Sequence, residues 1–254
     1  MSPLLNVKQQ NGPLPISSVA SRLVTPREGG RGAGLQFIFR VVHHRRVALA
    51  AMSVKMIFAA SALIATIAHA EAPATPAKVP AGAATAIFAG GCFWCSEADF
   101  EKLPGVIEVE SGFTAGKTDN PSYEEVSSGA TGHTEAVRVI YDPKKVSYPQ
   151  LVDYFWRHMD PTVKDRQFCD IGTQYRSGIY WQNEAERKVA EDSRDALIKG
   201  GKFKTIYTEL APATTFWLAE TYHQDYYKKN PIRYNYYRRS CGRDARLEQV
   251  WSGK

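Results

Sequence analysis

Two cysteines, Cys92 and Cys95, are the residues of this 254-residue chain best suited to chemistry. The apolar run 86–89 predicts a strand, and two glycines after it allow a tight turn into a helix predicted over 93–102. Cys92 would then lie at a helix N-terminus, where unpaired N–H groups and the helix dipole favour a thiolate over a thiol. The stretch predicts a nucleophilic cysteine, although a small buried cysteine would give the same pattern.

A zinc site is one interpretation of the Cys-x-x-Cys spacing, and it needs a second pair of ligands. Cys169 and Cys241 stand alone in the sequence. Neither His133 nor His223 lies at zinc-finger spacing. We therefore expect no metal.

The same spacing is found in thioredoxin-like redox motifs, which also join a strand to a helix. Phe93 and Trp94, between the two cysteines, are bulkier than the turn-forming residues expected in such a motif. Beside a nucleophilic sulfur, however, they would form an apolar wall that fits a methyl or thioether group. The two aromatic residues therefore favour a nucleophile site over a thioredoxin-like motif.

Other stretches contain polar side chains that could assist. Glu135 ends the run Gly-His-Thr-Glu at 132–135, and a carboxyl group in an apolar pocket has a raised pKa and can donate a proton. Spacing alone favours a surface glutamate at a strand end over a proton donor. Asp170 begins a polar run that could also be an ordinary loop, and His223, on a short helix predicted over 221–227, has the features of a structural histidine.

The elements that would position these residues alternate along the chain, with Ser147 and Asn183 as predicted helix N-caps. Their core order, β-α-β-β-α-β, is the split βαβ plan of a ferredoxin-like α+β sandwich. We expect a mixed sheet, extra C-terminal helices and a coiled C-terminal tail. The predicted strands are 85–90, 106–113, 134–141 and 175–181, and the predicted helices are 93–102, 148–158 and 184–199.

The first part of the chain resembles an export signal, with Met52 or Met56 as the expected natural start. A charged n-region, an apolar run over 57–67 and Ala-His-Ala at 68–70 are the three parts of a secretory signal peptide. The apolar run is too short to span a bilayer comfortably. We therefore expect export, to a bacterial periplasm, and four regions: an upstream extension or misassigned start at 1–51, a signal peptide at 52–70, a flexible lead-in at 71–84 and one domain at 85–254.

The formal net charge of +6 does not indicate nucleic-acid binding, because of where the charge lies. Residues 1–70 hold eight Lys and Arg against Glu28, which leaves 24 basic and 25 acidic residues in the remainder. The predicted domain is thus nearly neutral, and a nucleic-acid role is excluded on that ground. The four cysteines of an exported chain invite a disulfide framework, but a domain of this length does not need one to fold, so we favour a redox role.

Five motifs in order resemble those of the A-type peptide methionine sulfoxide reductase family, and together they span nearly the whole predicted domain, about 86–242. No single one of them would be specific. The motifs are Gly-Cys-Phe-Trp at 91–94, Tyr123 within Pro-Ser-Tyr-Glu-Glu-Val, Gly-His-Thr-Glu at 132–135, Gly-Thr-Gln-Tyr-Arg-Ser at 172–177 and Tyr-His-Gln-Asp-Tyr at 222–226.

The resemblance implies reduction of methionine S-sulfoxide in proteins, and also of the free amino acid. A sulfoxide sulfur becomes electrophilic only as its oxygen is protonated, so a thiolate must face a protonated acid. The attack leaves a sulfenic acid, which a second thiol converts to a disulfide. The resemblance implies Cys92 as nucleophile, Phe93 and Trp94 as the methyl pocket, Glu135 with Tyr123 and Tyr175 as the groups that protonate the oxygen, Asp170 as an ordering residue and Cys241 as the recycling cysteine.

Two cysteines depart from the common pattern of that family. Cys95 stands where many members have glycine, and Cys169 directly precedes Asp170. We favour Cys241 as the resolving thiol, with Cys95 and Cys169 as open alternatives. The chemistry needs no cofactor, only an external thioredoxin-like or other dithiol reductant, and we expect a monomer acting on oxidised proteins or peptides. Two other hypotheses are a thioredoxin-like disulfide oxidoreductase using Cys92 and Cys95, and a non-enzymatic binding domain with structural disulfides.

Overall fold

The computed structural model describes residues 74–252 of the chain. The predicted extension at 1–51, the predicted signal peptide at 52–70 and the first three residues of the predicted lead-in, 71–73, lie outside these residues. In the described part, no helix is both long and apolar enough to cross a membrane. The strands are β1 (Ala84–Gly90), β2 (Val106–Thr114), β3 (Thr134–Tyr141), β4 (Arg166–Gln167), β5 (Asp170–Ile171), β6 (Ser177–Trp181), β7 (Glu209–Pro212) and β8 (Trp217–Leu218). The helices are α1 (Phe93–Phe100), α2 (Tyr123–Ser127), α3 (Tyr148–Arg157), α4 (Glu184–Lys199), α5 (Tyr226–Lys229), α6 (Pro231–Ser240) and α7 (Arg243–Trp251).

The main sheet has six strands in the order β7-β6-β1-β3-β2-β8. Its central four, β6-β1-β3-β2, are the predicted strands, and all neighbours among them are antiparallel. This is the order expected of a split βαβ sandwich. Because β7 pairs parallel to β6, the sheet is mixed, as predicted.

The core explains why the apolar runs became these elements. The Phe88 ring of β1 stacks on Phe100 of α1 and Phe155 of α3, with centroids 5.0 and 5.1 Å apart. The apolar side chains of α3 are buried in this cluster, namely Leu151, Val152, Phe155 and Trp156. At the start of α4 the Asn183 side chain accepts a hydrogen bond from the Glu186 N–H (3.0 Å), which confirms the predicted N-cap.

The C-terminal tail was predicted wrongly as coil. Beyond the predicted extra helices, the chain remains helical through α6 and α7 to Trp251. Arg238 of α6 contacts the buried Asp99 carboxylate of α1 (2.9 Å), and Arg243 lies 3.6 Å from the same side chain. These two ion pairs hold the tail against α1, a long-range contact that no local pattern indicates.

Three smaller differences lie near the chemistry. Tyr175 belongs to a 3₁₀ turn over Thr173–Tyr175, and the fourth strand begins only at Ser177. The β4–β5 hairpin, which contains Asp170 as the first residue of β5, was not predicted because each of its strands has two residues. His223 lies in turns before α5 rather than on a helix.

Candidate active site

Cys92 occupies the position that the sequence predicts, directly between β1 and α1. It is the N-cap residue of α1, and its side chain is 5% exposed. Gly91 precedes it with φ +81°, where a Cβ atom would lie only 2.4 Å from the Gln167 Cβ. A glycine is therefore needed both for the turn and for the close approach of the β4 strand to the nucleophile loop.

Most of the predicted site residues meet in one cavity of about 100 Å³. They come from elements far apart in the sequence, so the fold, rather than local spacing, brings them together. Cys95, Cys169 and Cys241 are not among the lining residues. The cavity is lined by Cys92, Phe93, Trp94, Tyr123, Glu135, Asp170, Tyr175 and Tyr237.

Glu135 of β3 is a buried carboxyl group beside the nucleophile. The Phe93 N–H, at the start of α1, donates a hydrogen bond to its Oε2 (3.0 Å). Burial raises the pKa of Glu135 to about 8, aided by the charge of Asp170 and opposed by that hydrogen bond. The group is therefore protonated at neutral pH, as a proton donor must be.

The prediction that Cys92 rests as a thiolate is wrong for this closed site. Its pKa is raised well above the usual value, first by burial and further by Cys95 and the charge of Glu135. The helix N-terminus favours the thiolate, but desolvation of a buried charge outweighs it here. The resting pair is thus a neutral thiol and a neutral carboxylic acid.

Tyr237 of α6 is the site residue that the sequence did not reveal. Its hydroxyl donates a hydrogen bond to Asp170 Oδ2 (2.5 Å). The same hydroxyl lies within hydrogen-bonding reach of the Cys92 sulfur, an interaction that lowers the pKa of Cys92 against the larger effect of burial. Tyr237 lies within an aromatic and basic run, but nothing in that run indicates that this tyrosine, among several, faces the site.

The aromatic side chains hold one another in place around the cavity. Trp94 stacks on Tyr226 with centroids 3.7 Å apart, and its Nε1–H donates to His223 Nδ1 (2.9 Å). Burial lowers the pKa of His223 to about 4, so the imidazole stays neutral and accepts this bond. His223 is therefore a structural histidine that orients Trp94, as its sequence context suggested.

Two tyrosines provide hydroxyl groups at the cavity. Burial and the charge of Glu135 raise the pKa of Tyr123 to about 12 and that of Tyr175 as well. Both phenols are therefore neutral and can donate hydrogen bonds to an oxygen in the cavity. The site can thus surround a polar oxygen with donors while it packs aromatic rings on an apolar group.

The four cysteines divide into two pairs. Cys169 and Cys241 form a disulfide (S–S 2.04 Å) that joins the β4–β5 hairpin to the end of α6. Cys92 and Cys95 are both free and buried. The structure therefore does not show a framework in which all four cysteines form structural disulfides.

A larger cavity, about 680 Å³, is lined partly by Glu101, Glu108 and Asp225. It contains no cysteine and no other nucleophile of the predicted set. The smaller cavity at Cys92 is therefore the candidate active site.

Comparison with known proteins points to one family. The family model described as peptide methionine sulfoxide reductase matches residues 84–254. Peptide methionine sulfoxide reductase MsrA 2 of Caulobacter vibrioides is 51% identical over 178 residues, which cover 70% of this chain and 90% of that protein.

Two solved structures show a similar fold. Methionine sulfoxide reductase A of Corynebacterium diphtheriae is 34% identical with a TM-score of 0.55, over 64% of this chain and 89% of that one. Reduced Mxr1 from Saccharomyces cerevisiae is 36% identical with a TM-score of 0.56, over 60% and 88% of the two chains.

Proposed function

The chain belongs to the peptide methionine sulfoxide reductase family and reduces methionine sulfoxide to methionine, and we propose that it does so with Cys92 as nucleophile and Glu135 as proton donor. The observation that carries these roles is that the thiol and the protonated carboxyl group line one small cavity. Cys92 is the N-cap residue of α1, and Glu135 is the second residue of β3. We further propose the S configuration at sulfur for the substrate.

The proton balance of the step suits a neutral pair. Cys92 attacks the sulfoxide sulfur and loses its proton, while the sulfoxide oxygen gains one from Glu135. The S–O bond of the substrate breaks as the oxygen passes to the Cys92 sulfur, the thioether leaves, and Cys92 becomes a sulfenic acid. The proton lost by the Cys92 thiol returns Glu135 to its acid form, so the net reaction consumes no proton. Tyr123 and Tyr175 donate hydrogen bonds to the oxygen as its negative charge develops.

The aromatic side chains provide the binding of the methyl group. The Phe93 ring packs against the rings of Phe113 and Tyr123, with centroid distances of 5.8 and 6.3 Å. A cavity of about 100 Å³ admits a methyl sulfoxide but little more, so the rest of a peptide substrate stays outside. This supports methionine sulfoxide exposed on oxidised proteins, and the free amino acid, as substrates.

The reductant is proposed to be a thioredoxin-like dithiol protein. The Cys169–Cys241 disulfide supports this, because Cys169 is exposed and Cys241 is half-buried, so a thiolate from outside can reach the bond. The signal-peptide pattern at 52–70 supports export to the periplasm, where the donor would be a periplasmic dithiol. The enzyme is proposed to act as a monomer, without a cofactor or metal in this chemistry.

The proposed specificity is tested with the two epimers of a peptide methionine sulfoxide. We expect the protein with dithiothreitol to consume the S epimer and leave the R epimer, measured by chiral chromatography of both. Consumption of neither epimer would contradict the function, and consumption of the R epimer would contradict the stereochemistry. A thioredoxin-like oxidoreductase would instead reduce an insulin disulfide, a reaction that does not need Glu135 or the tyrosines.

Tyr237 is expected to assist the attack, because its hydroxyl touches the Cys92 sulfur. Tyr237→Phe removes a hydrogen bond that favours the thiolate, and a bond to a charged group contributes roughly 1.5–3 kcal/mol, so thioether release should slow by about tenfold or more. Single-turnover release of methionine by the pre-reduced protein measures this. The matched control is Tyr236→Phe on the same helix, whose side chain is 75% exposed and should leave the rate unchanged.

A further inference from the structure

The two cysteine pairs differ in exposure and in state. Cys92 and Cys95 are 5% and 2% exposed, carry free thiols and share a buried cluster with Tyr226 and Tyr234. In the first turn of α1 the Cys95 N–H donates to the Cys92 carbonyl oxygen (3.1 Å), and the two sulfurs are hydrogen-bonded to each other. The thiol in direct contact with the nucleophile is therefore Cys95.

The exposed pair lies close to the buried pair, and Arg243 links them. Arg243 is two residues beyond Cys241, and its Nη1 donates to the Gly90 carbonyl oxygen before the nucleophile loop (3.2 Å). Its guanidinium carbon also lies 4.4 Å from the centroid of the Phe168 ring, and Phe168 directly precedes Cys169. Cys241 is the C-cap residue of α6, one helical turn beyond Tyr237, the residue that touches Cys92. Cys241 therefore follows the helical turn that contacts Cys92, and transfer of the disulfide requires Cys241 to approach the buried sulfurs.

Building on the proposed function, we propose that Cys95 is the thiol that first resolves the Cys92 sulfenic acid, and that Cys241 and Cys169 then carry the disulfide to the surface. Cys95 thereby becomes a catalytic residue of the regeneration half-reaction. Cys241 keeps a recycling role, one step later than its sequence context implied.

Each step balances. The Cys95 sulfur attacks the sulfenic sulfur, the S–O bond breaks, and a Cys92–Cys95 disulfide and water form. Cys241 thiolate next attacks the Cys92 sulfur, which releases Cys95 as a thiol. Cys169 thiolate then attacks the Cys241 sulfur, which releases Cys92 and leaves the Cys169–Cys241 disulfide of the structure. Reduction of that disulfide by an external dithiol restores four thiols.

The environment of Cys95 suits a resolving thiol. A hydrogen bond from Cys92 and the nearby charges of Arg243 and Arg238 lower the pKa of Cys95 to about 7, despite its burial. A substantial share is therefore thiolate at neutral pH, before any movement of the tail. Burial also explains why a second cysteine pair is needed, because an external protein dithiol cannot reach a disulfide between Cys92 and Cys95.

The decisive variant removes the outer pair. The double variant Cys169→Ser, Cys241→Ser is reduced, freed of reductant and mixed with one equivalent of substrate. We expect one equivalent of methionine, a protein mass lower by two hydrogen atoms, a Cys92–Cys95 link in peptide mapping and no labelling by dimedone, which traps sulfenic acids. Full dimedone labelling of Cys92 with free Cys95 would overturn the relay.

The matched control adds Cys95→Ser to the double variant. It should still release one equivalent of methionine but should now carry the dimedone adduct on Cys92. Loss of methionine release in both variants would reject the nucleophile itself rather than the relay, so the two failures are distinguishable.

A second measurement uses the unmodified sequence and does not depend on the folding of any variant. Fully reduced protein is mixed with substrate, quenched with acid at increasing times and mapped. We expect the Cys92–Cys95 link to appear first and to decline as Cys169–Cys241 accumulates. Appearance of a Cys92–Cys241 link without an earlier Cys92–Cys95 link would overturn the proposal.

Discussion

Replacing Cys92 with serine is expected to reduce thioether release to the uncatalysed background. A serine hydroxyl is a far weaker nucleophile than a thiol near neutral pH, and it cannot accept the sulfoxide oxygen as a sulfenic acid does. The measurement is a single turnover without external reductant, with methionine determined by chromatography. Because serine is close to cysteine in size and the position is an N-cap, where serine is favoured, the fold should tolerate the change.

The control for this variant is its structure in solution. The thermal unfolding midpoint should match that of the parent protein, and the Cys169–Cys241 disulfide should still form, since neither of these cysteines lines the cavity that Cys92 lines. Methionine release by a folded Cys92→Ser protein at the parental rate would mean that another group attacks the sulfoxide.

Glu135→Gln is expected to slow the chemical step by about 10²- to 10⁴-fold, the usual contribution of a general acid. Glutamine keeps the size of the side chain, and its amide oxygen can still accept the Phe93 N–H, but it carries no acidic proton. Methionine release by the pre-reduced protein, measured in single turnovers quenched at increasing times, separates this step from disulfide reduction. Glu184→Gln is the matched control, since that side chain is 84% exposed on α4.

The pH dependence of the same step tests the assigned acid. Because burial raises the pKa of Glu135 to about 8, the carboxyl group is protonated below that pH and ionised above it. The parental rate constant should therefore fall as the pH rises through about 8, and Glu135→Gln should lack this descending limb. Glu135 in its charged form also raises the pKa of Cys92, so the limb that reports the thiol should shift to lower pH in the variant. An unchanged descending limb would assign the acid to another group.

The local patterns of the sequence were enough for the frame of the site. Apolar runs and the alternation of apolar residues predicted the four central strands, and cap residues predicted where helices begin. A glycine pair between a strand and a helix placed Cys92 at an N-cap. Each of these signals acts over a few residues, because hydrogen bonds and side-chain periodicity within an element are local.

Sequence patterns did not predict the contacts between residues that are far apart along the chain. Tyr237 meets Asp170 over a separation of 67 residues, and Cys169 pairs with Cys241 over 72. The helical tail is held by ion pairs from Arg238 and Arg243 to Asp99 of α1. No periodicity within any one of these segments indicates which distant surface it covers.

The amino-acid sequence alone determined a reactive cysteine at a helix start, a candidate acid on a neighbouring strand and the sandwich fold that contains both. Tertiary packing decided the charge state of that cysteine, the tyrosine that touches it and the pairing of the other sulfurs. The physical reason is that a pKa depends on the water and charge removed from around a group by every element packed against it, and a disulfide depends on two chain segments meeting in space. Both are properties of the folded molecule.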